Sequence, residues 1–152
     1  MTIALTAFTA RGLALARRLA DGLRAQGDNA AVTPCFGPRH CPLADFTASA
    51  FANADALVFV GAVGIAVRAI APHLSSKVHD PAVVVLDETG AFAISLLSGH
   101  LGGANALTLR LAGLFGAQPG ITTATDRSGL WAADDWARKN GCAVAEPERI
   151  KR

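Results

Sequence analysis

The residues best suited to chemistry lie in one short segment, Ser98–Asn105, which combines a hydroxyl, an imidazole, an amide and three glycines. His100 is a candidate general base because the reference pKa of imidazole lies near neutrality. Gly102 and Gly103 precede an apolar helix-like run, and backbone N–H groups at a helix start attract negative charge. The segment therefore predicts a site that handles water and a polar or anionic substrate.

Each of these residues also has a structural interpretation. His100 could take part in catalysis, contact substrate or hold the turn through a backbone hydrogen bond. Ser98 could be a nucleophile, but Ser-Gly-His lacks the spacing of a nucleophile elbow, so a turn-capping hydroxyl is favoured. Asn105 could bind substrate or close the turn, and the sequence does not separate these roles.

A second candidate segment is Gly61-Ala62-Val63-Gly64, which follows a buried strand. It matches neither a dinucleotide-binding fingerprint nor a phosphate-binding Walker loop. Its N–H groups could still face a substrate, with Gly61 and Gly64 as contacts. Arg68, one helical turn later, could bind a carboxylate with two parallel hydrogen bonds. An ion pair between Arg68 and an aspartate, with Asp80 as a candidate, is an equally good interpretation.

Two further polar clusters follow strands. The segment that contains Thr122, Thr123, Thr125 and Asp126 has two interpretations. Its hydroxyl groups could contact substrate, or Asp126 could cap a following helix. Asp87 and Glu88 are adjacent in a turn, so paired acid–base chemistry is disfavoured and turn chemistry explains them.

The chain alternates strand and helix patterns, which predicts an α/β fold with an open, mostly parallel sheet and helices on both faces. Residues 82–86 and 91–97 are separated by Asp87-Glu88-Thr89-Gly90, a hairpin signal that makes the sheet mixed. The predicted strands are 2–9, 29–35, 56–60, 82–86, 91–97, 120–125 and 142–145. The predicted helices are 10–26, 45–53, 65–74, 104–116 and 128–140.

Ligands bind outside the carboxyl ends of strands in open parallel sheets. Four predicted strand ends carry polar or glycine-rich residues, and we expect them to meet at one edge of the sheet. These ends are 6–9, 61–64, 98–105 and 122–126.

Composition excludes several classes of protein. The chain has 152 residues, of which 51% are hydrophobic and 17% charged, which suits one domain with a sizeable core. The net charge of +2, with no long basic run, argues against a nucleic-acid partner. No apolar run approaches the roughly 20 residues that span a bilayer, and no signal peptide precedes the first strand, so we expect a cytoplasmic protein without a membrane partner. Three cysteines argue against a disulfide framework.

Four ordered blocks of the sequence form a recognisable set: Gly61–Pro72, Lys77–Gly90, Ile94–Asn105 and Ile121–Asp126. Together they resemble the N-terminal domain of the CbiG family, the cobalt-precorrin-5A hydrolases of anaerobic cobalamin biosynthesis. The resemblance is dense over residues 55–126 and loose over 1–54. It divides the chain into an N-terminal α/β domain, residues 1–126, and the truncated start of a central region, residues 127–152.

The resemblance implies hydrolysis of a δ-lactone on a cobalt tetrapyrrole, followed by loss of acetaldehyde. It implies no resident cofactor or metal, because cobalt belongs to the substrate. The partners it implies are the cobalt-tetrapyrrole substrate and the central and C-terminal domains of the same enzyme, with a homodimer also open. The alternatives are a non-catalytic corrinoid-binding or docking module and, on fold analogy alone, a nucleotide-binding domain.

With that chemistry, the candidate catalytic residues are His100 and Ser98. The candidate substrate-binding residues are Gly61, Gly64, Arg68, Gly99, Gly102, Gly103, Asn105, Thr122, Thr123, Thr125 and Asp126.

Overall fold

The computed structural model describes residues 1–76 and 78–123. Within these ranges the chain forms one six-stranded sheet of order β2-β1-β3-β4-β5-β6. The strands are β1 (Thr2–Ala7), β2 (Asn29–Pro34), β3 (Ala56–Val60), β4 (Ala82–Leu86), β5 (Phe92–Leu97) and β6 (Gln118–Gly120). The helices are α1 (Ala10–Ala25), α2 (Leu43–Asn53), α3 (Val63–Ile70), continued by a 3₁₀ turn (Ala71–His73), and α4 (Ala104–Phe115).

The sheet is mixed, as predicted. Strands β1 to β4 are parallel to one another, β5 is antiparallel to β4, and β6 is parallel to β5. The reversal occurs in the hairpin turn between Asp87 and Gly90, where Gly90 has a φ of 74° and donates its N–H to the Asp87 carbonyl. The predicted hairpin and fold class are confirmed.

Helices cover both faces of the sheet and create two apolar layers. Helices α1 and α4 pack on one face against alternate residues of β3 and β4, including Val58 and Leu86. Helices α2 and α3 pack on the other face against the intervening residues, including Phe59 and Val85. Because both faces are covered, every residue of β3 and β4 is buried, which explains their uninterrupted apolar sequences.

Most predicted elements are present, with small differences at their ends. Asp45 does not cap α2: the helix begins two residues earlier, after Pro42, and Asp45 lies in its first turn. The strand predicted over 120–125 instead ends at Gly120, because its pairing with β5 begins at Gln118. The helix predicted over 128–140, the strand over 142–145 and the boundary after residue 126 lie outside the described residues.

The predicted meeting of four strand ends at one edge is wrong. Val60 pairs with Leu86 at the end of β4, whereas Leu97 pairs with Val83 near its start. The ends of β1, β3 and β4 therefore form one edge, which we call the carboxyl edge. The turn after β5 lies at the opposite, amino edge. Strands of five residues separate these edges by roughly 13 Å.

Within the ranges that the structure describes, no helix has the length and hydropathy needed to cross a bilayer.

Candidate functional site

At the amino edge, Ser98 ties the turn after β5 to the loop before β4. Its backbone is left-handed, with φ 56°, and its hydroxyl donates to the Asp80 carbonyl at 2.9 Å. The Asp80 carboxylate accepts N–H groups from Ser75 and Ser76 at 3.0 and 3.1 Å. The Ser98 hydroxyl thus fastens one loop to another, which agrees with the turn-capping interpretation.

The glycines of this turn allow close packing. A Cβ on Gly102 would lie 2.4 Å from the Ser98 Cβ and 2.9 Å from the Ser98 carbonyl oxygen. A Cβ on Gly99 would lie 2.8 Å from Asn105 Oδ1 and 3.1 Å from Thr123 Cγ2. Any side chain at these two positions would force the turn apart.

The structure brings Asn105 and Thr123 together. Asn105 is only 8% exposed, and its Oδ1 accepts the Ser95 hydroxyl at 2.7 Å. Its Nδ2 donates to Thr123 Oγ1 at 2.9 Å. Thr122 is exposed beside them, while Thr125 and Asp126 lie outside the described residues. Two of the four predicted strand ends, those after β5 and β6, therefore do meet.

His100 is also buried, at 5% exposed. Its carbonyl accepts the Gly103 N–H at 3.1 Å, and the Asn105 N–H donates to the Gly99 carbonyl at 3.0 Å. The Ala104 N–H likewise donates to the turn's own Ser98 carbonyl at 3.2 Å. These N–H groups at the start of α4 stabilise the turn, so they are already occupied in this structure.

At the carboxyl edge, a crevice of about 390 Å³ lies outside the ends of β1, β3 and β4. Strand order changes direction here, because the chain passes from β1 outward to β2 and then returns to β3 on the other side of β1. Such a switch point is where open α/β sheets bind ligands. The residues around the crevice include Phe8, Thr9, Gly61, Ala62, Ile65 and Glu88. Of these, only Gly61 was predicted as a substrate contact.

Glu88 and Asp87 both line the crevice but differ in their bonding. The Asp87 carboxylate accepts the N–H groups of Thr89 and Phe92 at 2.9 and 2.7 Å and also the Thr89 hydroxyl. Burial raises the pKa of Asp87, but these hydrogen bonds outweigh it and lower that pKa below its usual value. Glu88 Oε2 accepts the Thr9 hydroxyl at 2.6 Å. Asp87 therefore builds the hairpin turn, whereas Glu88 spans from the hairpin to the start of α1.

Gly61 is required by the ring of Phe8. A Cβ at this position would lie 2.5 Å from Phe8 Cδ2. The Gly61 N–H donates to the Leu86 carbonyl at 2.8 Å, which extends the pairing of β3 and β4 to the edge of the crevice.

Arg68 lies on α3, where its guanidinium donates to the Gly64 carbonyl at 3.1 Å. It lines a second cleft, of about 650 Å³, between α2 and α3. The expected alternative, an ion pair with Asp80, is wrong, because the Asp80 carboxylate is bonded at Ser75 and Ser76 instead. Ile65 lines both the cleft and the crevice, so the two depressions are neighbours on one surface.

The loop that contains two of the cysteines has its own hydrogen bonds. Cys35 Sγ accepts the Thr6 hydroxyl at 3.0 Å, and burial raises the pKa of its thiol. His40 Nδ1 lies 2.7 Å from the Gly37 carbonyl. Across residues 1–76 and 78–123, no three His, Cys, Asp or Glu side chains are grouped so as to hold a metal ion.

The comparisons with known proteins agree on one family. The family model described as Cobalamin synthesis G N-terminal matches residues 45–126, a range that contains the turn at the amino edge and most of the crevice. Two curated relatives carry the name cobalt-precorrin-5A hydrolase. The one from Salmonella typhimurium is 48% identical over an alignment of 146 residues, and the match covers 90% of this chain and 39% of that protein. The one from Priestia megaterium is 41% identical over 102 residues, covering 67% of this chain and 27% of that protein.

A solved structure has the same fold. The crystal structure of a cobalamin biosynthesis protein G homologue from Sulfolobus solfataricus superposes with a TM-score of 0.69 at 22% identity. The superposition covers 98% of this chain and 43% of that one. The chain therefore spans less than half the length of each of these relatives.

Proposed function

The chain belongs to the Cobalamin synthesis G N-terminal family, and from this premise we propose that it acts as the N-terminal domain of a cobalt-precorrin-5A hydrolase. The observation that carries the proposal is the 48% identity, over 90% of the chain, to a relative of that name. The reaction is the opening of a δ-lactone on a cobalt tetrapyrrole by water. A two-carbon fragment then leaves as acetaldehyde, and the cobalt is part of the substrate.

This reaction requires an activated water, stabilisation of an oxyanion and binding of the acetate and propionate side chains of the substrate. Arg68 suits the third task, because a guanidinium binds a carboxylate with two hydrogen bonds. Within the described part of the chain, no carboxylate forms an ion pair with Arg68, so its charge is available. The cleft between α2 and α3, which Arg68 lines, could accommodate part of a macrocycle.

The second candidate function is a non-catalytic domain that binds the corrinoid and presents it to the rest of the enzyme. The burial of His100 and the occupied N–H groups at the start of α4 favour this alternative for the amino-edge turn. In that case the residues 98–105, with Thr122 and Thr123, support the domain and do not act on the lactone. Under the first proposal, His100 and Ser98 take part in catalysis, and Gly99, Gly102, Gly103 and Asn105 position them or bind substrate.

The test is a full-length hydrolase in which this chain supplies the N-terminal domain, assayed with cobalt-precorrin-5A for acetaldehyde release. We expect release from the full-length protein and none when the domain is deleted. An unchanged rate without the domain would contradict the proposed function.

The two candidate functions are separated by the variant His100→Ala, with the exposed His79→Ala as its matched control. Loss of acetaldehyde release with tetrapyrrole binding retained would assign a catalytic role to His100. Loss of both, or of neither, would favour the supporting role of the turn.

A further inference from the structure

The crevice at the carboxyl edge holds a carboxylate that the proposed function does not yet use. Of the two acidic residues that line it, Asp87 accepts three hydrogen bonds within the hairpin turn. Glu88 also lines the crevice but accepts only one hydrogen bond in the described ranges, from Thr9 to Oε2, so Oε1 accepts none there. Glu88 is thus the carboxylate there with capacity to bind a water molecule.

The Glu88 carboxylate is held in position from two directions. Its backbone belongs to the short hairpin between β4 and β5, and its side chain is anchored by the Thr9 hydroxyl at 2.6 Å. Thr9 is in turn the N-cap of α1, where its Oγ1 accepts the Gly12 N–H at 3.0 Å. A catalytic group fixed in this way loses little freedom when the substrate binds, which favours reaction.

The same crevice adjoins hydrogen-bond donors that suit a developing negative charge. Ala62, the N-cap of α3, and Ile65 in the first turn of α3 both line it. The Ile65 N–H donates to the Ala62 carbonyl at 3.0 Å, so the N–H groups at the start of α3 without a partner inside the helix are those of Val63 and Gly64, and Ala62 supplies no side-chain cap. The start of α3 and the Glu88 carboxylate therefore border the same crevice, and ester hydrolysis uses a base together with hydrogen-bond donors.

We propose that Glu88 is the general base of lactone opening, an inference that rests on the proposed function. Glu88 Oε1 takes a proton from a water molecule while the water oxygen forms a bond to the lactone carbonyl carbon. The carbonyl electron pair moves onto its oxygen, where the N–H groups at the start of α3 stabilise it. Collapse of this intermediate re-forms the carbonyl and breaks the ring C–O bond. The departing alkoxide takes the proton back from Glu88, which leaves a hydroxy acid and a restored carboxylate.

The test compares Glu88→Gln with wild type in the full-length hydrolase that carries this domain, using cobalt-precorrin-5A. The amide still accepts the Thr9 hydrogen bond, so the fold should be retained, and a thermal melt checks this. We expect kcat to fall by about 10²- to 10⁴-fold, the usual contribution of a general base, with KM changed by less than about threefold. Asp21→Asn, an exposed carboxylate on α1, is the matched control and should leave kcat unchanged.

A second variant separates catalysis from structure. Glu88→Ala leaves room for a small carboxylate, so added formate should restore part of its kcat but none of that of Glu88→Gln. Wild-type kcat in Glu88→Gln, or no formate rescue of Glu88→Ala, would overturn the role of Glu88 while leaving the proposed function intact. Absence of acetaldehyde release from the wild-type enzyme would overturn the proposed function and this inference with it.

Discussion

Gly102 shows how a single residue sets the shape of the amino-edge turn. The sequence identifies the glycine-rich segment and predicts that its N–H groups attract a negatively charged substrate. The structure instead uses the glycines for contact, with Gly102 packed directly on Ser98. Local sequence could not reveal this, because the contact depends on where the preceding strand ends and on the bond from Ser98 to the Asp80 carbonyl.

Gly102→Ala should therefore destabilise the domain. The new methyl group would lie 2.4 Å from the Ser98 Cβ, and overpacking of this kind costs about 1–3 kcal/mol. Gly113→Ala is the control, because nothing lies within 4 Å of its Cβ position in α4 and the change should stabilise the helix by about 0.5–1 kcal/mol. Denaturant unfolding measures both, and equal stabilities for the two variants would contradict the packing argument.

The β4–β5 hairpin is the element that decides where candidate residues lie. The sequence predicts this hairpin correctly from Asp87-Glu88-Thr89-Gly90, and it predicts β1 to β5 to within two residues, whereas the predicted sixth strand shares only Gly120 with β6. It fails on the position of the following turn, because the rule for carboxyl ends holds for parallel strands and β5 is antiparallel. Glu88, interpreted from the sequence as a turn residue, lies at the carboxyl edge because it follows β4, which is parallel to β3.

Asp28, which precedes β2, links helix α4 to the outermost strand on the side of the sheet away from β5 and β6. Its carboxylate accepts a hydrogen bond from Arg110 of α4 and lies 2.9 Å from the Met1 ammonium group of the chain. The side chain is 8% exposed. Burial raises the pKa of Asp28. The hydrogen bonds and positive charges of Arg110 and the ammonium group lower it by more, so the pKa lies below its usual value.

Asp28→Asn should lower stability at neutral pH by about 1.5–3 kcal/mol, the scale of hydrogen bonds to charged groups. Because the pKa is lowered on folding, the wild-type advantage is fully present above the unfolded value of 3.8 and is lost as pH falls through the folded value. Asp21→Asn, which removes an exposed pair with Arg24, should cost less than about 1 kcal/mol. Urea unfolding at pH 7 and pH 3 measures these differences, and an undiminished Asp28 effect at pH 3 would contradict the assignment.

The whole molecule is a sheet with separate polar structures at its two edges. The fold class, the two helical layers and the family follow from the sequence, since they depend on periodicity and on several ordered motifs. The pairing of Thr9 with Glu88 could not be predicted, because 79 positions of chain separate two residues that only the finished sheet brings together. The site was therefore harder to derive than the fold.

Because the edges are separate, substitutions at them should have additive effects. Gly61→Ala places a methyl group 2.5 Å from Phe8 at the carboxyl edge, and Gly102→Ala crowds Ser98 at the amino edge. The free energy of unfolding of the double variant should equal the sum of the single effects within about 0.5 kcal/mol. A larger coupling energy in this double-mutant cycle would mean that the edges share a structural network.

The change of chain direction after β4 has a consequence for how such a domain can diversify. Insertions in the hairpin or at the start of α3 remodel the crevice, while the turn that docks α4 keeps its geometry. Substitutions around Ser98 and Gly102 alter how strongly α4 is attached to the sheet, and they leave the shape of the crevice unchanged. The ligand preference of the domain and its stability can therefore change through substitutions at different sites.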